Sequence, residues 1–128
     1  MIHTNWHDKD QQILIWRYKG KWSITEYKQA VEDTRSYLKE TYKRVDVIED
    51  FTDSHIVPHG YLYAALKTHE YVEAENLGIV TIVSPTIRTQ AIVRIVNSLR
   101  YSEDKLHTTN SLAQAEKLIS ESRIRVAS

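Results

Sequence analysis

The densest group of side chains able to do chemistry falls in one short stretch, where Glu49, Asp50, Thr52, Asp53, Ser54, His55 and His59 stand close together. Carboxylates beside imidazoles are the material of general acid–base catalysis, in which an Asp orients a His that takes the proton. His55 and His59 are four apart, a spacing that on a helix lets two imidazoles share a metal ion. Pro58 works against it, because the residue before a proline is pushed out of the helical region. A metal site also needs a third protein ligand, which the stretch does not indicate. A polar loop with capping Asp and Ser accounts for the same residues. His3 and His7 are four apart as well, but on a strand they stand about 13 Å apart, too far to hold one ion. No metal and no cofactor is therefore expected.

A nucleophile is no better supported. Ser54 and Ser84 lack the Gly flanks of a tight strand-to-helix nucleophile turn. The three glycines, Gly20, Gly60 and Gly78, form neither a phosphate loop nor a dinucleotide fingerprint. The chain has no cysteine, hence no thiolate nucleophile, disulfide or sulfur-ligated zinc. The remaining enzymatic reading uses His55 or His59 as general base with Asp53 orienting it.

These residues need elements to hold them. Ile2 to Trp6 reads as a short first strand, Lys9 to Gln12 as a turn, and Ile13 to Tyr18 as a buried strand rich in β-branched and aromatic residues. Ser23 and Glu26 have capping-box spacing, so a helix starts there. At about 100° per residue, Ile24, Tyr27, Val31, Thr34, Leu38 and Thr41 share its apolar face. Val45 to Phe51 is a strand ending in acidic residues, and a helical pattern runs from about Pro58 to Ala74, with Pro tolerated in the first turn. On that helix His69 falls amid Tyr61, Leu62, Ala65, Leu66 and Val72, either as a core histidine satisfied by one hydrogen bond or as the lining of a pocket. Leu77 to Val83 is almost wholly apolar, as in a strand covered on both faces. Ser84-Pro85 caps a helix to about Arg100, Leu106 to Thr108 is a weak strand, and Asn110 or Ser111 caps the last helix. Strands that alternate with helices predict a layered α/β fold with a mostly parallel sheet.

Three stretches carry a resemblance: residues 13–27 (ILIWRYKGKWSITEY), residues 45–62 (VDVIEDFTDSHIVPHGYL), and residues 82–89 (IVSPTIRT) followed by 106–118 (LHTTNSLAQAEKL). Together they resemble the STAS-like domains, the anti-sigma-factor antagonist family and its relatives. The resemblance implies one domain over residues 1–128, with a four- to five-stranded mostly parallel sheet, an antiparallel N-terminal strand pair and about four helices. In phosphorylated members the loop after the third strand ends in Asp-Ser-Ser-Gly, and its second Ser takes the phosphate. Gly60 here takes the place of that Gly, with His59, Pro58 and Val57 where the serines and the aspartate would stand. The acceptor hydroxyl is thus missing, and Thr52 and Ser54 are the substitutes a phosphorylation-switched reading would need.

The chain has 128 residues, 41% hydrophobic, with 17 Lys+Arg balanced by 17 Asp+Glu. Zero net charge speaks against a nucleic-acid binder, which needs excess cations to displace counterions. No stretch is long and apolar enough to cross a bilayer, and the first ten residues do not form a signal peptide, so a cytoplasmic place is expected. Trp16, Tyr18 and Trp22 near the second strand, and Tyr61, Tyr63 and Tyr71 on the second helix, suit either a core or an interface. On the helix spanning 87–99, Ile87, Ala91, Ile92, Ile95, Val96 and Leu99 cover more of the circumference than one sheet contact uses, which suggests a homodimer. The expectation is a non-enzymatic STAS-like module meeting a protein or a small apolar ligand at Asp53, Ser54, His55, His59, Gly60, Tyr61 and His69. The alternatives are a phosphorylation-switched regulator and a small His-dependent enzyme.

Overall fold

The computed structural model describes residues 1–54, 56–67, 73–84, 86–88, 90–92, 95 and 105–127, without the side chains of residues 66, 126 and 127. Five strands form one sheet: β1 (Ile2–Trp6), β2 (Ile13–Lys19), β3 (Val45–Asp53), β4 (Leu77–Val83) and β5 (Leu106–Thr109). The helices are α1 (Ile24–Lys39), α2 (Tyr61–Lys67) and α3 (Leu112–Ala127), and residues 87–88, 90–92 and 95 are also helical. The spatial order β1-β2-β3-β4-β5 is the order of the chain, with β1 antiparallel to β2 and the other pairs parallel.

That order decides where the helices go. Crossovers between parallel strands are right-handed, and when each steps to the next strand in the same direction they all cross one face. Accordingly, Tyr27, Val31 and Leu38 of α1 and Tyr61, Ala64 and Ala65 of α2 share one core with Leu14, Trp16, Tyr18, Val47, Phe51, Val80 and Ile82 of the sheet. The opposite face is covered by α3 alone, whose Ala115 and Ile119 pack on Ile15, Ile48, Ile79 and Val83. The period-2 alternation of side chains along each strand divides the two cores. β3 and β4 are buried on both faces, which suits their runs of Val and Ile.

The capping box forms: Glu26 N–H donates to Ser23 Oγ at 3.1 Å, and Ser23 N–H donates to the Glu26 carboxylate at 2.8 Å. α1 ends at Lys39, so Thr41 does not extend its buried face. The Glu40 N–H is shared between the carbonyls of Ser36 and Tyr37, which tightens and closes the last turn. α2 begins at Tyr61 and not at Pro58, because Pro58 belongs to the turn whose carbonyl accepts from Tyr61 N–H at 3.2 Å. The expected run to Ala74 is not helical at its end: Glu73 to Asn76 form turns, with Leu77 N–H donating to Ala74 O. β2, β3 and β5 each run one or two residues beyond the expected ends, to Lys19, Asp53 and Thr109.

Candidate functional site

The carboxyl ends of the parallel strands, where open α/β sheets hold their ligands, are tied together by short polar contacts. β2 leaves through Gly20, at φ 54, whose N–H donates to Asp53 O at 3.0 Å. Ser54 Oγ donates to Gly20 O at 2.7 Å and accepts from the Trp22 indole at 3.2 Å. Ser54 is 3% exposed, so its hydroxyl is a buried brace between two strand ends and not a free loop group. Thr52 is exposed, and its N–H and hydroxyl both donate to one oxygen of Asp50, at 2.9 and 2.5 Å. A phosphate at Ser54 would need the brace opened, and one at Thr52 would meet the Asp50 carboxylate. At β4 the cap forms as expected, with Thr86 N–H donating to Ser84 Oγ at 3.4 Å. Gln90 then bonds Ser84 O and Asn110 Oδ1, linking β4 to the exit of β5.

Beneath these contacts lies a packed set of rings. Tyr18 stacks on Phe51 with centroids 3.8 Å apart, and Trp22 meets Tyr61 edge-on at 5.3 Å, as does Tyr27. Trp16, Tyr18, Trp22 and Tyr61 are therefore core residues, whereas Tyr63 is exposed; Tyr71 lies outside the described residues. The Tyr18 hydroxyl donates to Glu49 Oε1 at 2.7 Å, and both residues are buried. Burial first, and then the nearby Glu49 carboxylate, push the Tyr18 phenol well above its ordinary value.

Tyr61 also lines a cleft of about 390 Å³ together with Ile56, Val57, Pro58, Leu62 and Ile92, with Arg88 on its edge. Gly60, at φ 88, turns the chain into α2 beside it, a conformation suited to glycine. Ile56 and Leu62 are partly exposed on its wall, and Tyr63 and Ile87 are exposed next to wall residues in sequence. Trp22 links Ser54, to which it donates, with Tyr61, against which it packs, and Gly20 ties in Asp53 through its carbonyl. His59 is exposed in the turn before α2 and makes no hydrogen bond to Asp53, so the expected Asp–His pair is not formed there. His55 and His69 lie outside the described residues, as do Val96 and Leu99 of the expected dimer face. Sequence reasoning missed Ile56, Arg88 and Ile92 as cleft residues. Their signal was an uncommitted Ile between Ser54 and Pro58, and the apolar and basic residues after the Ser84 cap. Among the described residues no group of three or more His, Asp or Glu is placed to hold a metal ion.

The chain matches no protein-family model and no curated protein. It is similar in structure to an uncharacterised DUF3478-family protein with a SpoIIAA-like fold from Shewanella loihica PV-4. The TM-score is 0.64 over 92% of this chain and 91% of that one, at 15% identity. The fold is SpoIIAA-like. The SpoIIAA-like, or STAS-like, arrangement expected from the sequence is thereby present, including the antiparallel first pair. In this SpoIIAA-like chain Ile56, Val57 and Pro58 of the loop after β3 line the apolar cleft. Among the described residues no helix is long and apolar enough to cross a membrane.

Proposed function

We propose that this chain is a non-enzymatic STAS-like interaction module that takes a small apolar ligand, or the apolar side chains of a protein partner, in the cleft beside α2. The observation that carries this reading is the division of groups at the strand ends. The buried hydroxyl of Ser54 is consumed by internal hydrogen bonds, while uncovered Ile56 and Leu62 form the accessible wall. Pockets that bind are mostly apolar with few polar groups to orient the ligand, and Arg88 supplies one such group here. The phosphorylation-switched reading is left with the exposed Thr52, beside the Asp50 carboxylate, because Ser54 is buried, and the His-dependent reading draws no support from His59, which is not paired with Asp53.

An apolar fluorescent dye such as anilinonaphthalene sulfonate tests this. The native chain binds it with enhanced emission, and because the Trp22 indole packs on the cleft residue Tyr61, tryptophan emission falls in step. Leu62→Glu, at a partly exposed position, removes most of that binding while the chain stays folded. Dye binding unaltered by Leu62→Glu and by Ile92→Glu would overturn the assignment.

A further inference from the structure

On the face that α3 covers, cover is incomplete. α3 packs over β3, β4 and β5 and reaches β2 at Ile15, while His3 and Asn5 of β1 and Arg17 and Lys19 of β2 stay exposed. Register places His3 opposite Arg17 and Asn5 opposite Ile15. These side chains, with Trp6, His7 and Lys19, line a second pocket of about 390 Å³. Its floor is Ile15, which is buried, and its far end is held to α3 by His7, whose Nε2 lies 3.6 Å from the Glu116 carboxylate. Trp16 and Tyr18 are buried in the core on the other face, while Trp6 is partly buried, packs edge-on against Tyr37 and also borders this pocket.

Register sets Asp50 and Asp53 of β3 opposite Arg17 and Lys19, but no ion pair closes at either position among the described residues. Neither Arg17 nor Lys19 makes an ion pair or a side-chain hydrogen bond with a described residue. Asp50, opposite Arg17 on β3, gives an oxygen to Thr52 instead. Solvation alone asks only for polar side chains, and no hydrogen bond is formed between Arg17 and His3 across the pair. Two uncommitted cations and the amide of Asn5, gathered around an apolar floor in a chain of zero net charge, are suited to an anion.

We propose that this pocket binds a small phosphate-bearing molecule. The planar Arg17 guanidinium takes two phosphate oxygens and Lys19 adds a point charge. Asn5 donates a further hydrogen bond, and the remainder of the ligand lies over Ile15. Nucleic acid is the poorer fit, because a chain of zero net charge lacks the excess cations to follow a phosphate backbone. The site lies on the opposite face of the sheet from the apolar cleft and does not depend on it.

The test is an NMR titration of the full chain with inorganic phosphate and then pyrophosphate, with ionic strength held constant by sodium chloride. Saturable shifts confined to residues 3–7 and 15–19 are expected. Arg17→Ala and Lys19→Gln should each weaken binding roughly tenfold, the change expected for one lost charge-assisted bond, with Tm unchanged because both positions are exposed. Leu62→Glu should leave phosphate binding intact, which separates this site from the cleft. Equal shifts with chloride alone, unchanged affinity in the Arg17 and Lys19 variants, or binding of a short oligonucleotide but not of pyrophosphate would each overturn the proposal.

Discussion

The titration of Tyr18 is clearly displaced, and its direction sets a pH dependence. Burial and Glu49 hold its proton above the ordinary value of 10.0. Below about pH 10 the folded and unfolded chains both keep that proton, so the stability contribution is whole. Above it the unfolded chain releases the proton and the folded chain does not, so stability falls as pH rises. Urea midpoints measured from about pH 8 to pH 11 should drop at the alkaline end, and Tyr18→Phe should flatten the drop while costing about 1 kcal/mol at neutral pH for the lost hydrogen bond. Parallel curves for the two proteins would contradict this. At this scale the sequence was only partly legible. The sequence sets Thr52, Asp53, Ser54 and His59 close along the chain, but whether Ser54 was free depended on Gly20 and Trp22, which precede it by 34 and 32 positions. No local pattern announces a partner that far away.

Among the elements, α3 is held to the amino end of the sheet by a cluster that no motif indicated. Asp46 is fully buried, and its carboxylate accepts from Arg44 at 3.0 Å, from Arg123 of α3 at 2.8 Å and from the Ile79 N–H at 2.8 Å. Arg123 also donates to Gln12 O, and Arg44 to Ser122 Oγ, so β2, β3, β4 and α3 meet there. Gly78 makes room for this: a Cβ added to it would overlap the Asp46 carboxylate and the Arg44 guanidinium. Gly78→Ala should cost about 1–3 kcal/mol by overpacking. Asp46→Asn should cost about 2–3 kcal/mol, below the usual range for a broken buried pair because both guanidinium groups are partly solvated. Urea denaturation measures each, and hydrogen exchange should show α3 opening first in the Asp46 variant. An Asp between Val45 and Val47, at the buried start of β3, was the available clue, since a charge on a buried stretch must be paired. The locally coded elements were read well. The Ser23–Glu26 box and the apolar run of β4 carry their signal within a few residues, whereas the start of α2 depended on how the turn at Pro58 closes.

For the whole molecule, the helical residues between β4 and β5 bear on assembly. Ile87 and Ile95 are 85% and 48% exposed, and we propose that a second copy covers them, since two-fold dimers are the commonest oligomers. Light scattering at micromolar concentration should give twice the 15.0 kDa of one chain, and Ile87→Glu or Ile95→Glu should halve it. A native mass near that of one chain would remove the dimer.

The agreement between strand order and chain order has a consequence for synthesis. Each new strand joins the outer edge of a sheet already begun, and none must be inserted between two that are paired. Folding can therefore advance from the amino end as the chain emerges, with α1 and α2 closing their side as they appear. The other side waits. Ile15, Ile48, Ile79 and Val83 remain uncovered until the last helix is made, so a ribosome-bound or truncated chain lacking α3 would present that apolar stripe to chaperones or to its own neighbours.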